Sequence, residues 1–357
     1  MHRAQTDENP MSDSDINFLP EVPLAAYLEK HVAGFRGPLT ATKFKGGQSN
    51  PTYRIDAASG SYVLRRKPSG KLLASAHAVD REFRVLTALH GSSVPVAGPL
   101  HLCADDAVIG SMFYLMEFVP GRVLWDPALP KLASGERRAY YEAMIDILIA
   151  LSRIDVAAVG LSEYGKPGNF FTRQIGRWTE QYHAAATEQI AAMDQLIAWL
   201  PKNAPPEDNR IALVHGDFRI DNLMWHRDEP TLLAVVDWEL STLGHPLADL
   251  AYFCMACRLP PGGAVLSGLA GLDRRALGIP DEAELIARYS AGTGLSAGKH
   301  WPFYLAFNFF RLAAIAQGVY KRAQQGNASS DQALQAGAMA RAIAELGWQA
   351  ANADNVS

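Results

Sequence analysis

Two hydrophobic rhythms divide the chain. Between Ala41 and Val119 apolar residues alternate with polar ones or gather in short runs, as strands do. "TYRID" (52–56) and "SYVLRR" (61–66) flank the turn signal "AASG", which predicts a hairpin. "SMFYLMEFV" (111–119) is a nearly continuous apolar run of strand length, ended by Pro120–Gly121. One stretch breaks this pattern: in "SAHAVDREFRVLTALH", Val79, Phe83 and Leu86 fall at helical spacing and predict an amphipathic helix.

Beyond Gly121 the helical period dominates. "ERRAYYEAMIDILIALSRID" and "NFFTRQIGRWTEQYHAAATEQIAAMDQLIAWL" both carry it, as does "FNFFRLAAIAQGVYKR". A short β-rich insert runs from Ile211 to Asp237. The reading is an α+β chain of two lobes with a cleft between them. A small β-rich N-lobe with one helix covers 19–119, and a larger, mainly helical C-lobe covers 120–350. Polar tails lie at 1–18 and 351–357, the first flexible and without the apolar core of a secretory signal.

Composition adds mainly exclusions. The 357 residues are 48% hydrophobic and 20% charged, with a formal net charge of −4. The absence of a Lys/Arg-rich block argues against a nucleic-acid partner. No apolar run reaches the roughly 18 residues of a membrane span. Three cysteines are too few for a four-ligand zinc site, so "CMAC" (254–257) reads as two small apolar residues one helical turn apart. These features point to the cytoplasm. Oligomeric state is not legible.

The chemistry concentrates in "LVHGDFRIDN" (213–222), which places two Asp, a His, an Arg and an Asn beside buried strands. "NLMW" and "LLAVVD" are short strands joined by "HRDEP", a turn signal. Pairing them antiparallel sets Asn222 opposite Val236 and beside Asp237. Asp217, Asn222 and Asp237 then converge at one end of a hairpin. Converging carboxylates repel unless a cation lies between them. Mg²⁺ takes one or two carboxylates plus substrate phosphates, which fits Asn222 and Asp237. Asp217, farther from that end, is free to accept a proton, and Asp221 reads as a local cap or ion pair.

H-G-D-x-x-x-x-N, followed by an apolar strand ending in Asp, resembles the signature of the aminoglycoside phosphotransferase and choline kinase type of kinase, relatives of the protein kinases. The resemblance implies a bilobal protein-kinase-like fold and an ATP-dependent (GTP possible), Mg²⁺-dependent transfer to the hydroxyl of a small molecule. Asp217 becomes the catalytic base, and Asn222 and Asp237 the Mg²⁺ ligands. His215 holds the loop, and Asp249, in "HPLADLA", braces it from the next helix.

The first half carries matching parts. In "FKGGQSNPTYRI", Gly46 and Gly47 let the backbone approach an anion, while Ser49 and Asn50 can donate to phosphate oxygens. In "SYVLRR", Arg65 stands where kinases carry a strand lysine, with Lys67 as the fallback cation. Glu82 faces the core side of its helix, and Arg65 is its natural partner. "MEFVPG" resembles the hinge, whose backbone at Glu117, Phe118 and Val119 would receive the adenine.

Within that family the sequence is most similar to the kinase-like domains fused to some acyl-CoA dehydrogenases and to their free-standing bacterial relatives. That implies a hydroxyacyl acceptor. Two departures accompany it: His245 where relatives carry Asp, and Ser152 where many carry His. On the last long helix Phe307, Arg311, Ile315 and Arg322 share a stripe, so Arg311 and Arg322 are candidates for a pocket suited to an acidic or acyl substrate. Amino-alcohol, sugar or aminoglycoside acceptors, and a catalytically silent nucleotide-binding module, remain as alternatives.

Overall fold

The structure is a computed structural model that describes residues 19–44, 50–68, 78–263, 266–325 and 332–353. The chain separates into two units. The first takes in residues through Thr87 together with Ala97–Phe118; the second takes Ala88–Val96 and the chain from Val119 onward. The short piece before Ala97 is tied to the second unit by the Val235 N–H, which donates to Pro95 O at 2.8 Å.

The first unit holds helix α1 (Glu21–His31), strands β1 (Leu39–Lys43), β2 (Thr52–Ala57) and β3 (Gly60–Arg66), helix α2 (Val79–Leu89), and strands β4 (Pro99–Cys103) and β5 (Phe113–Glu117). The strands form one antiparallel sheet in the order β1-β2-β3-β5-β4. Its period of two turns Tyr53, Ile55, Leu64, Phe113 and Leu115 to one face, where Leu24 and Leu28 of α1 pack. Glu82 and Tyr114 are buried as well. The sequence reading expected one helix here, and α1 is a second. Pro23 in its first turn is compatible with a helix, because that N–H has no intrahelical partner to lose.

The second unit begins with strand β6 (Arg122–Val123) and helix α3 (Ser134–Ser152). The periodic stretch 169–200 forms two helices, α4 (Phe170–Ala185) and α5 (Ala191–Asn203). Gln317, itself buried, donates to Ala185 O and to Thr187 Oγ1, and so satisfies the helix end exposed by the break. Strands β7 (Ala212–Val214), β8 (Leu223–Trp225), β9 (Leu232–Val235) and β10 (Thr242–Gly244) follow. They make two small sheets, β7 with β10 and β6-β8-β9, all antiparallel. Helix α6 (Leu247–Cys254) is buried along its whole length. The chain ends with α7 (Arg274–Leu277), α8 (Glu282–Thr293), α9 (Trp301–Gln324) and α10 (Gln332–Ala351). Cys254 is buried and Cys257 partly so, both free thiols, in keeping with the apolar reading of "CMAC". Among the described residues no helix is long and apolar enough to cross a membrane.

Candidate active site

Three consecutive buried apolar residues make β7, and the chain leaves it at His215. Gly216 turns the backbone at φ +84°, and a Cβ there would lie 2.7 Å from Leu240 O, so no other residue fits. Asp249, in the first turn of α6, accepts the main-chain N–H groups of His215 at 2.6 Å and of Gly216 at 2.8 Å. Burial pushes the Asp249 carboxyl above its usual range, against the pull of His215, these two N–H groups and Arg311. The His215 ring accepts the Asp217 N–H at Nδ1 (3.1 Å), which leaves Nε2 to donate to Val236 O at 3.0 Å. That pair of bonds fixes the orientation of the ring.

A 3₁₀ turn, Ile220–Asn222, delivers the chain into β8. β8 and β9 pair with Leu223 opposite Val235, and the Val236 N–H donates to Asn222 O at 3.0 Å, so Asn222 stands beside Asp237 as expected. Asp237 adopts a left-handed backbone at φ +67°, rare for a residue other than glycine and frequent at functional sites. Asn222 Nδ2 donates to Asp217 O at 2.8 Å and to Asp217 Oδ2 at 2.9 Å. The amide oxygen is therefore the end turned away from Asp217.

Asp217 differs from expectation in one respect: its carboxylate is held rather than free. Besides Asn222 on Oδ2, the Tyr252 hydroxyl donates to Oδ1 at 2.6 Å and Arg219 Nε lies 3.2 Å from the same oxygen. Arg219 also pairs with Asp221 at 2.9 Å, which gives Asp221 the local role read from the sequence. Burial raises the Asp221 pKa, with the Arg219 charge opposing. Burial also works against the charge of Arg219, but Asp217, Tyr252, Asp221 and Asp237 together hold its pKa above the ordinary value. Arg219 and Tyr252 were missed in the sequence. The available signals were an Arg between two Asp, and a Tyr three residues after Asp249 on the same helix face.

Arg311 and Arg322 do not share a pocket. Arg311 is buried; its guanidinium donates to Gly216 O and lies 5.0 Å over the Tyr252 ring. Arg322 is exposed near the end of the same helix. Phe307 packs in an aromatic cluster with Phe170, Phe171 and Phe303 rather than facing a ligand. His245 stacks on Tyr304, and Ser152 caps the end of α3 by donating to Ile149 O at 2.8 Å.

In the first unit Arg65 and Glu82 are brought together, with Arg65 Nε 2.9 Å from Glu82 Oε2. Tyr114 donates to the same carboxylate at 3.1 Å, and Asn50 Nδ2 donates to Oε1 at 2.7 Å. Asn50 is thereby corrected: its amide is fully buried and spent on Glu82, so it braces the ion pair instead of meeting phosphate. Gly46, Gly47 and Ser49 lie outside the described residues. In the hinge stretch the Glu117 N–H donates to Gly98 O at 2.9 Å, and the Val119 carbonyl accepts the Gly121 N–H at 2.8 Å. The Phe118 ring is covered by the Arg54 guanidinium at 4.5 Å.

The donor set suits a hard divalent cation. It offers an amide and a carboxylate on backbone positions that lie side by side, in a neighbourhood where three carboxylates act on Arg219. Among the described residues no three His, Cys, Asp or Glu side chains form a cage by themselves.

Comparison with known proteins identifies the family. The family profile described as "Phosphotransferase enzyme family" matches residues 40–291. A mouse protein named acyl-CoA dehydrogenase family member 10 is 48% identical over 326 residues, which are 90% of this chain and 30% of that protein. An Arabidopsis thaliana protein named probable acyl-CoA dehydrogenase is 44% identical over 90% of this chain and 41% of its own length. The chain thus spans well under half the length of these curated relatives. A Ralstonia eutropha crystal structure, provisionally named an aminoglycoside phosphotransferase, is 50% identical with a TM-score of 0.85, covering 94% of this chain and 99% of that one. A spectinomycin phosphotransferase solved with ADP and spectinomycin, 13% identical with a TM-score of 0.61, shares the fold.

Proposed function

We propose that this chain, which belongs to the phosphotransferase enzyme family, transfers the γ-phosphoryl group of ATP to a hydroxyl on a small acyl compound. The observation that carries the reading is the Asp217–Asn222–Asp237 arrangement: a carboxylate held by the amide five residues on, with Asp237 next in the chain to Val236, the backbone partner of Asn222. Phosphoryl transfer asks little covalent chemistry of a protein. It needs an oriented base, neutralised phosphate charge and alignment of the reacting oxygens.

In this reading Asp217 takes the proton of the acceptor hydroxyl. Asn222 and Asp237 would hold Mg²⁺, which when bound neutralises and aligns phosphate oxygens. Arg65, oriented by Glu82, meets the phosphates nearer the nucleoside; its planar fork suits two oxygens at once. His215, Asp249 and Arg311 hold the loop backbone so that Asp217 keeps its aim.

An acyl acceptor is favoured by the relatives. Proteins named acyl-CoA dehydrogenases contain a segment up to 48% identical to this chain, whereas the aminoglycoside-modifying structures with bound antibiotic are alike in fold alone. The test is a panel of hydroxyacyl-CoAs, hydroxy acids, amino alcohols, sugars and aminoglycosides, scored by consumption of MgATP. Hydroxyacyl compounds should exceed every other class by roughly ten-fold in kcat/KM, about 1.4 kcal/mol of transition-state discrimination. If no member raises consumption above the rate without acceptor, the reading fails; if an aminoglycoside leads, the acceptor class is wrong.

A further inference from the structure

Helix α6 presents two side chains to the catalytic loop from one face. Asp249 takes the loop's backbone N–H groups, and Tyr252, one turn later, reaches the carboxylate of Asp217 itself. Tyr252 is buried, and its ring lies under the Arg311 guanidinium, which is anchored in turn on Gly216 O. Burial and the neighbouring Asp217 charge push the Tyr252 phenol well above its ordinary range, so it stays a donor at any physiological pH.

The two oxygens of Asp217 are consequently unequal. Oδ1 faces the Tyr252 hydroxyl at 2.6 Å and Arg219 Nε at 3.2 Å, while Oδ2 accepts one N–H, from Asn222 at 2.9 Å. A carboxylate oxygen already holding a short, charge-assisted bond is a poor proton acceptor, because that bond must be given up or weakened. Oδ2 is the oxygen with fewer donors already on it.

We propose that Tyr252 is a positioning residue for phosphoryl transfer, one that occupies Oδ1 of Asp217 and so assigns the acceptor's proton to Oδ2. This inference rests on the phosphotransferase reading above. In the step, the acceptor O–H proton passes to Oδ2 as the acceptor oxygen bonds the γ-phosphorus. The bond to the β,γ-bridging oxygen breaks, and its electron pair leaves with ADP. Arg311 supports the arrangement by packing over the Tyr252 ring while anchored on the Gly216 carbonyl.

Tyr252→Phe tests it, because the substitution keeps the ring, its burial and its contact with Arg311 and deletes one oxygen. MgATP is the probe, with the best acceptor of the panel, or water where no alcohol is better. Freed of Tyr252, the carboxylate can rotate, so kcat should fall roughly ten- to hundred-fold, the range of a misplaced general base, while the KM for MgATP stays within about two-fold. The melting temperature should stay within about 4 °C of wild type. On an Asp217→Asn background the same substitution should cost less than about two-fold, since residues acting as a unit are not additive.

A Tyr252→Phe kcat within about two-fold of wild type overturns the role of Tyr252 and leaves the phosphotransferase reading standing. An undiminished loss on the Asp217→Asn background, or a matching rise in the MgATP KM with a lowered melting temperature, also overturns it, because either marks general loosening. A wild-type chain that consumes no MgATP under any condition overturns both readings together.

Discussion

Both hydrogens of the Asn222 side-chain amide are given to Asp217, one to its main-chain carbonyl at 2.8 Å and one to carboxylate oxygen Oδ2 at 2.9 Å. The amide therefore does two things at once: it holds the loop closed and keeps its own oxygen turned away from Asp217. Asn222→Asp keeps an oxygen there but deletes both donors and sets a carboxylate against a carboxylate. We expect kcat to fall on the order of 100-fold, as on loss of a preorganised donor at a reaction centre. Steady-state kinetics over a range of Mg²⁺ concentrations checks this, and a near-wild-type kcat at saturating Mg²⁺ contradicts it.

Asp217→Asn separates binding from chemistry. Asn is nearly isosteric; its single side-chain oxygen can keep the bond from Tyr252, and the Asn222 amide keeps its bond to the main-chain carbonyl of residue 217, so the loop should keep its shape. An amide oxygen cannot take the acceptor's proton. Transfer should drop by roughly 10²- to 10⁴-fold, the usual contribution of a general base. Calorimetric titration with ATP and Mg²⁺ should give an affinity close to wild type. Retained turnover would move the base elsewhere.

In the first unit Glu82 is 2% exposed and serves Arg65, Asn50 and Tyr114 together. Glu82→Ala leaves the Arg65 guanidinium, only 12% exposed, without that carboxylate. Removing one partner of a buried pair costs about 3–5 kcal/mol, because an uncompensated charge stays behind. Urea unfolding should show that loss, and the KM for MgATP should rise as Arg65 loses its aim. Stability within about 1 kcal/mol of wild type would mean that Arg65 is satisfied by other groups.

How much of this was legible in the sequence depends on the range of the forces involved. The β8/β9 hairpin, with Asn222 beside Asp237, follows from short-range period and turn chemistry, and the Arg65–Glu82 pair follows from an acid on the apolar side of an amphipathic helix. The fold class was legible for the same reason. Helix α1 was not, since Leu24 and Leu28 make a short stripe and Pro23 reads as a breaker until it is seen in the first turn. Arg311 was misjudged as a pocket residue because its partner, the Gly216 carbonyl, lies 95 residues away and has no side chain to signal it. Asn50 sits in a glycine-rich stretch that suggests phosphate, and only tertiary packing turns its amide toward Glu82.

Gly216 carries the sharpest steric constraint of the loop. Gly216→Ala would force a Cβ into a left-handed backbone, within 2.7 Å of a main-chain oxygen that belongs to the Trp238–Leu240 turn. The conformational term alone costs about 1–2 kcal/mol. Relief requires moving either Asp217 or the turn that follows Asp237. Melting temperature should fall by several degrees and kcat by more than the stability loss accounts for. An alanine variant of wild-type stability and kcat would show that the loop has room the geometry denies.

His245 gives the second unit a pH dependence with a definite sign. Its ring is buried, accepts the Leu247 N–H at Nδ1 (3.2 Å), stacks on Tyr304 and points Nε2 toward Asp208 at 3.4 Å. A second proton would have to sit on Nδ1, facing that N–H. Burial lowers the imidazole pKa from its ordinary 6.5, with Asp208 and Glu207 pulling the other way and Arg210 adding to the fall. As pH drops through 6.5 the unfolded chain therefore takes up a proton that the folded chain still refuses. Proton uptake by the unfolded state costs stability, so the loss begins near that pH and is complete below the folded pKa. Above that window the neutral ring costs nothing. His245→Gln cannot take the proton, and its melting temperature should fall less steeply than that of wild type as pH drops from about 7 to about 5. Parallel curves for the two proteins would mean that His245 takes its proton as readily in the folded chain as in the unfolded one.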